Sequence, residues 1–139
     1  CIIFRPTTLF GTPPLGTRSN PVFDLILKAK QAQPAKLVRD LTVNFGYVED
    51  MCNALLKLIC DNESSGEYNF GGPNNLSRYK LGCEIYRFFG VNEKLLEPCL
   101  MDDFNPNVKR PLDTSFDCRR FDEKFNLKRT SILDYLALL

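Results

Sequence analysis

Arg110, which precedes Pro111, has the most direct chemistry in the chain. A planar guanidinium donates paired hydrogen bonds to phosphate oxygens, and it serves equally well as a solvated surface group. Asn20 precedes Pro21. Its amide can cap a helix or, with the free N–H groups of a first turn, hold a hydroxyl or phosphate oxygen. Tyr47, Glu49 and Asp50 stand ahead of an apolar helical pattern, where acidic residues balance the positive helix end, so Asp50 reads as structural. Histidine is absent. That removes Ser-His-Asp and Cys-His catalysis and every imidazole metal site. Cys1, Cys52, Cys60, Cys83, Cys99 and Cys118 form no C-x-x-C pair, and three of them lie in helix-like segments. The expectation is no metal site and reduced, mostly buried thiols in a cytoplasmic protein.

The elements that must position these groups follow from composition and pattern. The 139 residues are 44% hydrophobic and 25% charged, with 11 Phe and 5 Tyr, which suits a folded domain. Eighteen basic against 17 acidic residues leave a net charge of +1, too balanced for a nucleic-acid partner. No apolar run approaches the roughly 20 residues that cross a bilayer, so no membrane partner is expected.

Cys1 to Phe4 predicts a strand buried on both faces, and such an opening predicts missing upstream material. Residues 7–20 form a long Gly/Pro loop of the size kept for binding. A helix then runs from the Asn20 cap to a stop before Pro34. One or two short strands fall within 37–45. Val48 to Cys60 is a helix with Met51, Ala54, Leu55, Leu58 and Ile59 on a core stripe. Glu67 to Phe70 is a strand. Ser77 caps a helix carrying Leu81, Ile85, Phe88 and Phe89, and Gly90 ends it in the left-handed region. Residues 95–101 are irregular or a short strand, and 102–109 a mobile polar loop. Asp117 caps a helix through Phe125, and Thr130 caps a last one, 131–139, whose Ile132, Leu133, Leu136 and Leu139 seal a core. Phe88, Phe89, Phe121 and Phe125 are expected in the core. Alternating strands and helices make the class α/β.

Four segments in order resemble the C-terminal half of the extended short-chain dehydrogenase/reductase family: Ile-Ile-Phe-Arg-Pro-Thr-Thr-Leu-Phe-Gly (2–11), Gly-Tyr-Val-Glu-Asp (46–50), Gly-Glu-Tyr-Asn-Phe-Gly-Gly (66–72) leading to Leu-Ser-Arg-Tyr (76–79), and Arg-Pro-Leu-Asp (110–113). Within it the resemblance is to the dTDP-4-dehydrorhamnose reductase group and its relative, the methionine adenosyltransferase regulatory β subunit. The resemblance implies a Rossmann-type α/β fold, with residues 1–139 forming the C-terminal substrate-binding portion and the last Rossmann strands. The dinucleotide-binding part would precede it.

It also implies an NADP- or NAD-dependent reductase of nucleotide-linked 4-keto-6-deoxy sugars. The alternatives are a non-catalytic regulatory subunit, which pairs with an enzyme, and a nucleotide-sugar epimerase or dehydratase. A homodimer is possible in any of these. No G-x-G-x-x-G occurs, and Tyr47 and Tyr79 are followed four positions later by Met51 and Cys83, so neither forms the family's Tyr-x-x-x-Lys pair. No catalytic residue is assigned in this chain. Family position puts Pro6, Thr7 and Thr8 beside the nicotinamide, and Asn20, Tyr47 and Arg110 on the nucleotide-sugar substrate, with Arg110 at the mouth of the cleft.

Overall fold

The computed structural model describes residues 1–14, 19–103 and 109–139. Thus 15–18 of the long loop, and 104–108 of the stretch expected to be mobile, lie outside the described residues. The chain is α/β, built on strand pairs joined by helices.

β1 (Ile2–Pro6) pairs in parallel with β6 (Gly66–Phe70), and α2 (Val48–Cys60) lies between them in sequence and packs on β1. α4 (Arg119–Phe125) packs on β6. Between them lies a small core of Ala54, Leu58, Tyr68, Phe70 and Phe121. A second unit repeats the plan: β3 (Ala35–Val38) pairs in parallel with β8 (Leu96–Cys99), with α3 (Arg78–Phe88) as crossover. α1 (Pro21–Lys30) and α5 (Ile132–Leu136) pack on α3 around a larger core that includes Leu25, Ile26, Leu81, Ile85 and Tyr86. Two short pairs complete the described sheets: β2 (Leu9–Phe10) with β5 (Gly46–Tyr47), parallel, and β4 (Thr42–Val43) with β7 (Leu76–Ser77), antiparallel.

Local signals produce the helix ends. Asn20 Oδ1 accepts the Phe23 N–H at 2.9 Å and Pro21 fills the first helical position without losing a bond. Ser77 Oγ accepts the Lys80 N–H, and Gly90 follows α3 at φ +68, where a Cβ would be strained. The last two helices begin one residue later than expected. Cys118, not Asp117, occupies the α4 cap position, and Asp117 instead accepts the Arg119 N–H from one residue further out. Ser131, not Thr130, caps α5, because Ser131 and Asp134 close a reciprocal capping box that Thr130 cannot form. α5 stops at Leu136, which leaves Leu139 beyond it and exposed, and within the helix Ile132, Tyr135 and Leu136 take the buried side while Leu133 is exposed.

Burial departs from expectation where periodicity cannot say which side is covered. Ile2 and Phe4 pack on the small core, yet Ile3 on the other face of β1 is 47% exposed, so the strand is not buried on both faces. On α2, Ala54 and Leu58 are buried and Met51 partly so, while Leu55 and Ile59 of the expected core stripe are exposed, Ile59 at 65%. One sheet face covers one side of a helix, and α2 is apolar over more than that. Phe88 is likewise exposed, whereas Phe121 is fully buried. All six cysteines are free; Cys99 and Cys118 are buried, but Cys1, Cys52 and Cys60 are exposed, so burial of most thiols does not hold.

Asp61, the residue after α2, joins the two helices of the small core. Its carboxylate meets Lys124 Nζ at 2.6 Å and also accepts the Ser64 hydroxyl and the Glu63 N–H. Those contacts, Lys124 first, pull its pKa down to about 2. A folded-state value below the unfolded one gives stability that is present above about pH 4 and lost as pH falls towards 2. The melting midpoint should therefore fall less steeply over that window in Asp61→Asn than in the parent. Parallel curves would remove Asp61 from the acid response.

Candidate functional site

A cavity of about 240 Å³ opens between β3, the start of α3 and the segment after residue 108, lined by Lys36, Leu37, Val38, Leu41, Arg78, Met101 and Arg110. Lys36 comes from the outward-facing alternation of β3. Its ion pair with Glu97, at 3.6 Å, joins two half-exposed side chains, a weak contact that leaves the ammonium accessible. Arg78 is the first residue of α3, and with Lys80 it makes a first turn that holds no acid. Cations there oppose the helix dipole by about 0.3–1 kcal/mol, a placement that an anionic ligand would offset. Arg110 arrives on an extended segment tied to β4, where the Thr42 N–H donates to the Leu112 carbonyl at 2.8 Å. Among the described residues neither Arg78 nor Arg110 is ion-paired.

A narrower extension of about 50 Å³ shares Leu37 and Arg78 with this cavity and reaches Pro21 and Val22 at the start of α1. The combined groove has three cations at one end, an apolar wall of Leu37, Val38, Leu41 and Met101, and a helix start at the other end. At about 240 Å³ the main cavity is smaller than the roughly 300–1,000 Å³ of whole-ligand pockets, so it suits the phosphate-bearing part of a larger molecule.

The residues singled out in the sequence separate into three places. Arg110 lines the cavity. Asn20 stands at the α1 end of the groove, but its amide is engaged twice over, capping Phe23 and donating to the Gly11 carbonyl at 2.8 Å. It therefore acts first as a clasp between loop and helix. Tyr47 lies elsewhere, packed between the rings of Phe10 and Tyr135 at 5.6 and 5.2 Å. Burial, and then its hydrogen bond to Glu49, push its hydroxyl up to about 12, so it stays protonated at neutral pH. Asp50 accepts the Thr130 N–H, a structural bond. Pro6, Thr7 and Thr8 follow one another at the carboxyl end of β1, the edge where open α/β sheets take ligands. Pro6 and Thr8 are exposed, while the Thr7 N–H is already bonded to the Phe70 carbonyl at 2.8 Å.

Sequence reasoning missed Lys36 and Arg78. Arg78 carried a signal, a cation at the first helical position; Lys36 carried none, because alternation on a four-residue strand marks exposure and not direction. Among the described residues no cluster of His, Cys, Asp or Glu has metal-site geometry, and no helix is long and apolar enough to cross a membrane.

Comparison with known proteins decides the family: the RmlD substrate binding domain model matches residues 1–137. The chain belongs to that family. No curated protein matches the sequence. Among solved structures, the RmlD-type chain is similar to dTDP-4-dehydrorhamnose reductase from Bacillus anthracis in complex with NADP, with TM-score 0.78 and 22% identity over 99% of this chain and 47% of that one. It is similar to a dTDP-4-dehydrorhamnose reductase from Yersinia enterocolitica, with TM-score 0.77 and 18% identity over 96% of this chain and 46% of that one. A dTDP-glucose 4,6-dehydratase from Bacillus anthracis in complex with NAD also aligns, with TM-score 0.72 and 15% identity over 96% and 41% of the two chains. At these identities the likeness is one of fold: the chain has the α/β, Rossmann-type architecture of extended short-chain dehydrogenases/reductases. It spans less than half the length of each of these structures.

Proposed function

We propose that this RmlD-type domain is the C-terminal substrate-binding portion of a cytoplasmic, NADP- or NAD-dependent reductase of nucleotide-linked 4-keto-6-deoxy sugars. The observation that carries the reading is the convergence of Lys36, Arg78 and Arg110 on one cavity with an apolar wall. A diphosphate carries two to three charges in a small volume, and guanidinium forks match its oxygens in pairs. The wall of Leu37, Val38, Leu41 and Met101 would take the flat base beside it. The extension towards α1 would then lead the sugar away from the cations.

A bound nicotinamide cofactor would supply the hydride, and the family's Tyr-x-x-x-Lys pair in the dinucleotide-binding part the proton, that together reduce a carbonyl to an alcohol. In this chain Pro6 to Thr8 fit the nicotinamide by position, at the carboxyl end of the β1 and β6 pair with Pro6 and Thr8 open to a ligand. Because the Thr7 N–H is committed to Phe70 and the Thr8 carbonyl to the Gly46 N–H, the carboxamide would be met by the other backbone groups of the segment. Lys36, Arg78 and Arg110 hold the diphosphate and so fix the distance from the anchored end of the substrate to its reacting carbon.

The test uses the complete protein that carries this domain. It should bind dTDP by calorimetry and consume NADPH when given a dTDP-4-keto-6-deoxy sugar, seen as loss of the near-ultraviolet absorbance of the reduced nicotinamide. The 139-residue chain alone should show no turnover, because it contains neither G-x-G-x-x-G nor Tyr-x-x-x-Lys. Failure of the complete protein to bind dTDP would overturn the reading. Binding without turnover would assign it instead to the non-catalytic regulatory subunit.

A further inference from the structure

We propose that Asn44 is a positioning residue that aims Arg110 into the cavity, an inference that rests on reading Arg110 as a ligand contact. Arg110 sits on a segment that packing does not hold: residues 109–114 are exposed, Leu112 included. Hydrogen bonds hold it instead, at two anchors two residues apart, one on β4 and one just beyond its end. The first is Thr42, whose N–H donates to the Leu112 carbonyl at 2.8 Å and whose carbonyl accepts the Thr114 N–H at 2.9 Å. The second is the side chain of Asn44. Its Nδ2 donates to the Phe116 carbonyl and its Oδ1 accepts the Phe116 N–H, both at 3.0 Å.

That closed pair of bonds reproduces what a backbone amide would do in a ladder. The Asn44 main chain is turned the other way, with its carbonyl accepting the Gly72 N–H at 3.2 Å, so the side chain continues the edge in its place. Asn44 is only 2% exposed. Losing the amide would leave the part-buried N–H and carbonyl of Phe116 without these partners, which makes the clasp selective for one register of the segment.

The amide is also held in one orientation. A Cβ on Gly71 would stand 2.3 Å from Nδ2, so glycine is what leaves room for it, and Cys118 Sγ closes the other side at 3.8 Å. Aspartate would lose the donor and face a carbonyl oxygen with a charge. Glutamine would carry its amide too far. Only the asparagine amide has both polarities at this reach. Loss of the clasp should therefore free the Arg110 segment while both apolar cores, which contain neither Arg110 nor Asn44, stay closed.

The experiment is a double-mutant cycle in the complete protein with dTDP as probe, across Asn44→Ala, Arg110→Ala and the double variant. Asn44→Ala is expected to weaken dTDP by about three- to tenfold in the parent and by less than about twofold once Arg110 is gone, since coupled residues are non-additive. Hydrogen exchange at the Thr114 and Phe116 amides should quicken by about tenfold or more in Asn44→Ala and stay unchanged in Arg110→Ala. An equal dTDP penalty in both backgrounds would mean a general structural role and would overturn the proposal. So would unchanged affinity in Asn44→Ala alongside a loss in Arg110→Ala. An unchanged affinity in Arg110→Ala would refute the ligand reading itself and the inference with it. If Asn44→Ala does not fold, Asn44→Ser, which keeps a smaller polar group in the same space, is taken through the same cycle.

Discussion

Replacing Arg110 with alanine should weaken dTDP binding by the complete protein by one to two decades while leaving its melting temperature almost unchanged. A charge-assisted hydrogen bond contributes roughly 1.5–3 kcal/mol, which corresponds to about that range in affinity. Nothing in the fold depends on the side chain: it is exposed and, among the described residues, forms no ion pair. Arg110→Lys should recover only part of the loss, because an ammonium restores the charge and not the paired geometry. The affinity gap between parent and Arg110→Ala should narrow as salt rises, since screening acts on the charge that the variant lacks. A dissociation constant within about twofold of the parent would return Arg110 to the solvated surface.

Phe121→Ala should show the opposite behaviour, a large loss of stability with the cavity intact. Phe121 is fully buried and its ring meets those of Phe4, Phe70, Tyr68 and Phe125 at centroid distances of 6.5, 5.9, 6.4 and 4.9 Å, the Phe70 and Tyr68 contacts being edge-to-face. Truncating such a residue costs about 3–5 kcal/mol, and the core around it has few other members to close the gap. A drop in melting temperature on the order of 10–20 °C follows for a domain of this size. Well below that transition, dTDP affinity should match the parent, since the cavity is built on β3 and α3 around the other core. Leu81 would be a poorer control, because it lines the narrow extension of the groove as well as the core. A loss of less than about 5 °C would show that the small core relaxes around the missing ring.

The pair also separates what was legible in the residues from what was not. Asn20 with Pro21, Ser77 and Gly90 act within four residues of themselves, so a linear reading locates α1 and α3 closely. The spacing in α2 likewise announces a helix. It does not say that Ala54 and Leu58 are covered while Ile59 is open, because that depends on the one sheet face that packs there. Tyr47 illustrates the same limit: a tyrosine beside a loop suits a ligand by type, and only the approach of Phe10 and Tyr135 makes it packing.

By itself the sequence determined the α/β class, most helix starts, the absence of imidazole chemistry and the phosphate-binding aptitude of Arg110, all properties of residue type or of near neighbours along the chain. The tertiary structure alone decided that Arg110 meets Lys36 and Arg78. Those three cations are separated by 42 and 32 residues and converge because β3 pairs with β8 across α3 and because Thr42 and Asn44 hold the later segment beside them. Each of those contacts is a long-range pairing whose energy is shared among both partners and the cores behind them, so no short window of residues encodes it.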